Sequence, residues 1–179
     1  MSGIGAGAVL QPAGGASRPR RPRSGPRAAL TYVAAVVIGG VALGAVWRLL
    51  APVARADVVD GGVYLQGHEE LWAAQDGWFV IVMGLAGVAV ATVQSVRARP
   101  PLTVRAVVAM LGLGGASVLV WRVGSWLGPD SLAHQVAQGA QHPWTPVQLH
   151  SPAAFLVAPL LFAITRCLAA LLSSPSAHP

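Results

Sequence analysis

The chain has no lysine, one cysteine and only six acidic residues in 179 positions. Each shortage excludes something. Cys167 by itself cannot build an internal disulfide framework or a cysteine-based metal site. Without lysine, and with no strand after it, the glycine-rich stretch 3–15 is low complexity rather than a phosphate-binding loop. No serine elbow and no Cys/His pair occurs, so nothing here implies a cofactor, a metal or a catalytic residue. Charge is scarce overall. Only 10% of residues are charged and 54% are hydrophobic, which is too apolar for a soluble domain and places the chain among integral membrane proteins. The net charge of +6 and a pI near 11.3 would suit nucleic acid. The twelve arginines, however, cluster in the first 27 residues and around apolar runs, so the charge is a topology signal and no nucleic-acid partner is expected.

What is present is organised around Arg97-Ala98-Arg99-Pro100-Pro101-Leu102-Thr103-Val104-Arg105. Tandem prolines cannot continue a helix and three arginines do not sit in lipid, so the chain reverses here in water. Outward from this turn the sequence predicts an all-α membrane protein of four transmembrane helices, at about 28–50, 77–96, 102–127 and 152–172, forming two helical hairpins. Residues 1–27 read as a disordered cytoplasmic tail whose Arg18–Arg23 cluster either binds anionic headgroups or simply holds the N-terminus inside; 173–179 is a short cytoplasmic tail. Nine arginines and no acid then lie inside, while Arg48, Arg55 and Arg122 lie outside with all six acids. This separation places the chain in the plasma membrane as a multi-pass protein with both termini cytoplasmic. A rival reading is a secretory signal cleaved after Ala54-Arg55-Ala56; the first apolar run is longer than such signals, and Trp47-Arg48 interrupts it.

Two extracytoplasmic loops follow from that layout. In the first, Asp60-Gly61-Gly62 between apolar pairs predicts a small β-hairpin, 69–74 a short interfacial helix, and Asp76 an N-cap for the second span. In the second, 131–138 predicts a short helix capped by Asp130 and Gly139. Ser151 and Pro152 open the fourth span, Pro159 predicts a kink in it, and Arg166 snorkels at its inner end. The pairs Gly40/Gly44, Gly87/Ala91 and Gly112/Ala116 predict close helix packing within the molecule. Val120-Trp121-Arg122 repeats Val46-Trp47-Arg48, each before a loop and a returning span, as a degenerate duplication would.

The residues most able to carry chemistry are Arg48 and Arg122. They are expected either to pair with Asp76, Glu70 or Asp130, or to form a cationic pocket for an anionic lipid or envelope precursor. His134, His142 and His150 recur every eight residues, with His68 in the other loop; that spacing fits no compact zinc motif, and they read as loop histidines.

Asp76-Gly77-Trp78-Phe79, the basic turn, Val123-Gly124-Ser125-Trp126-Leu127-Gly128-Pro129 and the stretch Pro146-Val147-Gln148-Leu149-His150-Ser151-Pro152-Ala153-Ala154-Phe155, continuing to Pro159, together resemble an actinobacterial family of small four-span membrane proteins of unknown function. The resemblance covers about 28–172 and implies four spans, with no activity, substrate or site residue to carry over. Three classes of function remain. The first is a non-catalytic interaction or envelope-accessory protein, not an enzyme, working through its outer loops, the lipid bilayer and a membrane-protein partner. The second is a small transporter or channel subunit, against which stands the lack of any acid within a span. The third is a membrane enzyme with an outer-face site.

Overall fold

A computed structural model describes residues 26–59, 62–64, 68–97 and 102–173. Residues 1–25, 60–61, 65–67, 98–101 and 174–179 lie outside the described residues, and so do the expectations placed on them; Pro26 and Arg27, expected in the disordered tail, instead open α1. The elements run α1 (Pro26–Leu50), β1 (Asp57–Val59), β2 (Gly62–Tyr64), α2 (His68–Val96), α3 (Leu102–Trp126), α4 (Leu132–Ala137), a 3₁₀ turn (Pro152–Leu156) and α5 (Val157–Leu172).

Four of these helical segments are long and apolar enough to cross a membrane: Ala29–Leu50, Glu69–Val96, Thr103–Trp126 and Pro152–Leu172. At about 1.5 Å per residue each covers the ~30 Å of a hydrocarbon core. Their outward surface is apolar: Leu30, Ile38, Leu85, Leu111, Leu160 and Leu168 are each more than half exposed. In water, apolar exposure on that scale would drive aggregation. In lipid it is the solvated face, and the chain has the architecture of a multi-pass membrane protein.

The second span differs from the sequence reading. The interfacial helix and the span are one continuous helix beginning at His68, so Asp76 lies inside α2 and cannot be its N-cap. Glu69 and Glu70 sit in the first turn instead, where negative charge suits the helix N-terminus, and the good helix formers that follow give the chain no reason to break before Gly77. Two other end signals also shift. Ser131, not Asp130, caps α4: its side chain accepts from His134 N, and Gly139 just beyond the helix takes φ 86°. Pro159 falls in the first turn of α5, where its missing N–H costs least, and the chain before it tightens to 3₁₀ rather than kinking a formed helix.

Packing joins equivalent spans of the two halves. α1 lies chiefly against α3 and α2 against α5, with thinner contacts between the consecutive spans α1 and α2. Small residues allow this closeness. A Cβ at Gly44 would lie 2.9 Å from Val123 Cβ and 3.0 Å from the Val120 carbonyl oxygen. One at Gly87 would run into the Ala158 carbonyl, so α2 and α5 touch backbone to backbone. Where lipid supplies no hydrophobic drive between helices, such contact area is what holds them. Tyr32 Oη adds a hydrogen bond from α1 to the Val108 carbonyl oxygen of α3 at 2.8 Å.

Between the two helix pairs lies a continuous apolar core that includes Trp47, Phe79, Met83, Val120, Ala158 and Phe162. Its aromatic ridge repeats across the halves. Trp47 meets Phe79 edge-on at 5.2 Å, Trp121 meets Phe155 edge-on at 5.9 Å, and Phe79 joins Phe155 at 5.9 Å. The recurrent Val-Trp-Arg pattern thus has a structural counterpart: in each half its tryptophan rests on a phenylalanine of the returning span, Phe79 within α2 and Phe155 at the start of the fourth span.

Candidate functional site

Most polar side chains that could carry function gather at one end of the bundle, where α1 leads into the first loop and α3 into the second. The two loops are not separate. Residues 54–58 run antiparallel to 141–145, with Thr145 N donating to Ala54 O at 2.9 Å, Ala56 N to Pro143 O at 2.9 Å and Val58 N to Gln141 O at 3.2 Å. Arg55 and Trp144 form the bridge at the centre, and the Arg55 guanidinium carbon lies 4.6 Å over the Trp144 ring. β1 pairs with β2 on its other side, in the register Asp57↔Tyr64, Val58↔Val63 and Val59↔Gly62. The result is a small polar cap assembled from both halves of the chain.

Gln75 anchors this cap to the bundle. Its side chain is fully buried, an expensive place for an amide unless every polar atom is satisfied. Nε2 donates to Pro52 O at 2.9 Å and, at 3.5 Å, to Pro146 O, while Oε1 accepts from Gln148 N at 3.3 Å. The Gln75 backbone carbonyl accepts from Trp47 Nε1 at 3.1 Å. One residue of α2 therefore ties together the exit of α1, the first loop and the second loop. Gln135 plays a similar part within the second loop: Nε2 reaches Asp130 O at 2.6 Å and Trp144 O at 2.8 Å, and Oε1 accepts from Trp144 N at 2.8 Å.

The sequence-expected site residues are distributed over this end. Asp76 does not meet an arginine. Its carboxylate accepts from His150 N at 2.9 Å and Ser151 N at 2.8 Å, holding the start of the fourth span against α2, and His150 stacks on Trp72 at 4.7 Å. Arg48 donates from Nε to Leu127 O at 3.3 Å, satisfying a carbonyl at the end of α3. Arg122 is exposed, with its guanidinium carbon 5.3 Å from the Trp121 ring. Asp130 lies 4.0 Å from His134 Nε2, and Glu70 is exposed on the first turn of α2. The expected ion pairs of Arg48 or Arg122 with Asp76, Glu70 or Asp130 are therefore not formed. Two aspartates are committed elsewhere, Asp57 to His142 and Asp76 chiefly to backbone N–H, while Asp130 is exposed with His134 Nε2 4.0 Å away.

The loop histidines likewise stand apart. His142 Nδ1 meets Asp57 Oδ1 at 2.9 Å, His150 Nδ1 lies 3.8 Å from Asp76 Oδ1, and His134 Nε2 lies 2.9 Å from Gln138 Nε2 and 4.0 Å from Asp130 Oδ2. Among the described residues, no three His, Cys, Asp or Glu side chains come close enough to share a metal ion. Sequence reasoning missed Gln75, Gln135 and the Arg55–Trp144 pairing. Gln75 is an amide two residues before the expected start of the second span and inside the helix once α2 is extended to His68; the Arg55–Trp144 pairing carries no local signal at all. Comparison of the chain with protein-family models, curated proteins and solved structures found no match in any of the three.

Proposed function

We propose that this is a non-catalytic plasma-membrane protein, with both termini in the cytoplasm, that presents its joined loops on the outer face as a docking platform for a membrane-protein or envelope partner. The observation that carries this reading is the cap itself. Connecting two spans needs only a short turn, whereas here residues 54–58 and 141–145 are hydrogen-bonded into one unit and pinned by a buried glutamine. Tyr64 and Trp144 stand on this unit 63% and 40% exposed, the kind of side chain that anchors protein interfaces. The packed middle of the bundle, filled by Trp47, Phe79, Met83 and Phe162, supports an interaction role over a pore through one copy. The separate His–Asp contacts support it over an outer-face enzyme.

Site-specific photo-crosslinking in living cells tests this. Probes at Tyr64 and Trp144 are expected to yield discrete adducts of one mass, lost when Gln75→Leu unpins the cap, while probes at Arg97 at the opposite end yield none. Liposomes containing the purified chain that carry solute flux, with no adduct from either cap position in cells, would overturn the reading in favour of transport.

A further inference from the structure

Arg48 and Arg122 share one side of the α1/α3 pair. The contacts of α1 rise in step with those of α3, from Gly40 against Ala116 and Leu119, through Gly44 against Val120 and Val123, to Trp47 against Gly124, so the two helices run parallel. At about 100° per residue, Arg48 lies roughly 70° ahead of the α1 contact line, and Arg122 roughly 120° behind the α3 contact line. On parallel helices facing each other, a lead on one and a lag on the other point the same way. Trp121 turns in the opposite direction, toward Phe155 in the other layer. The Cα–Cβ bonds of Arg48 and Arg122 thus point to the same outer side of the α1/α3 pair within about one helical turn of each other in depth, from where the long Arg122 side chain also reaches the edge of the Trp121 ring. Trp126, 83% exposed and four residues after Arg122, marks that depth as the membrane interface.

Neither arginine has a carboxylate partner among the described residues. Among the described residues, Arg48 uses Nε on Leu127 O and keeps its two terminal NH₂ groups, and Arg122 makes no hydrogen bond. A charged group held at a lipid-facing position calls for a counter-charge from its surroundings, and the guanidinium fork matches phosphate oxygens bidentately. A second copy of this chain is a poor occupant, because a two-fold contact on this face would set the arginine pair against itself.

We infer that Arg48 and Arg122 form a binding site for a phosphate group in the leaflet at the loop end, supplied by an anionic lipid headgroup or by a soluble phosphate. The site stands on the four-span architecture and is independent of which partner meets the cap. All six tryptophans lie at or near the loop end, so quenching of their fluorescence reads this leaflet and is blind to the arginines of the opposite end. In proteoliposomes of the full chain, dibrominated phosphatidylglycerol is expected to quench more effectively than dibrominated phosphatidylcholine. Arg122→Gln should cut that preference about fivefold, and Arg48→Gln with Arg122→Gln should bring it to the phosphatidylcholine level, at about 1 kcal/mol per arginine. Reversal by millimolar inorganic phosphate would assign the site to a soluble phosphate, and resistance to it would assign a lipid headgroup. Among the described residues Arg122→Gln removes no hydrogen bond, only the contact with the Trp121 ring, and so keeps the test open if the double variant fails to fold. An unchanged phosphatidylglycerol preference in Arg122→Gln and in a folded double variant would overturn the assignment.

Discussion

Replacing Trp47 by alanine is expected to destabilise the folded bundle by about 3 kcal/mol, read as a lower midpoint in unfolding from mixed micelles. The side chain is fully buried where α1, α2 and α3 converge, packed on Phe79 and filling the space beside Gly124. In a soluble core, Trp→Ala costs about 3–5 kcal/mol, part of it lost transfer from water. Inside lipid that part shrinks, leaving mainly the cavity and the forfeited dispersion contacts, which sets the estimate at the lower end. The loss of the Nε1 bond to the Gln75 carbonyl adds a consequence that packing alone would not bring: the cap loosens with the bundle. Trp47→Phe should retain most of the stability but not that bond. A Trp47→Ala variant as stable as the parent would mean that the aromatic ridge is not what joins the halves.

Gly87→Val is expected to have the second large effect. Valine for glycine in an exposed helix position is favourable or neutral, since glycine costs up to about 1 kcal/mol against good helix formers. At Gly87 the side chain would meet the Ala158 backbone carbonyl, which cannot yield unless α2 and α5 separate. Overpacking of this kind costs about 1–3 kcal/mol and outweighs the propensity gain. Gly115, which has nothing within 4 Å of its would-be Cβ, supplies the contrast, and valine there should be tolerated. Equal stability of the two variants would show that α2 and α5 do not approach backbone to backbone.

These two positions show how far the sequence can be read. Four spans were legible because lipid imposes length and apolarity on any helix that crosses it, and the 28–50, 102–127 and 152–172 estimates lie within a few residues of the helical segments found. The early start of α2 was not, because residues 68–76 carry both interfacial and helical character and no breaker separates them from the span. Gly40, Gly44 and Gly87 announced close packing, but which helix each would meet is a tertiary fact that spacing does not hold. The candidate site fared worse for the same reason. Arg48, Arg122 and Asp76 stood out as charges beside apolar runs, yet their partners were settled by competition: backbone N–H groups at 150 and 151 claimed the Asp76 carboxylate that an arginine was expected to take. Gln75, the residue that ties the loops to the bundle, carries no motif, and only its burial reveals its role.

The two loops lie at the same end of the bundle and are joined there. Arg55 and Trp144 face each other across the antiparallel bridge in the narrow, non-hydrogen-bonded register, since the bonds flanking them run from Thr145 N to Ala54 O and from Ala56 N to Pro143 O. In that register Cα atoms lie about 4.5 Å apart, within the range a disulfide spans. The most direct measurement is therefore oxidation of the full chain carrying Arg55→Cys and Trp144→Cys in a Cys167→Ser background, in native membranes under a mild oxidant. The expected result is a near-complete intramolecular crosslink, seen as a 2 Da loss of mass in the intact chain. Two free thiols that each react with maleimide while no crosslink forms would contradict the joined cap and, with it, the arrangement of the four spans beneath.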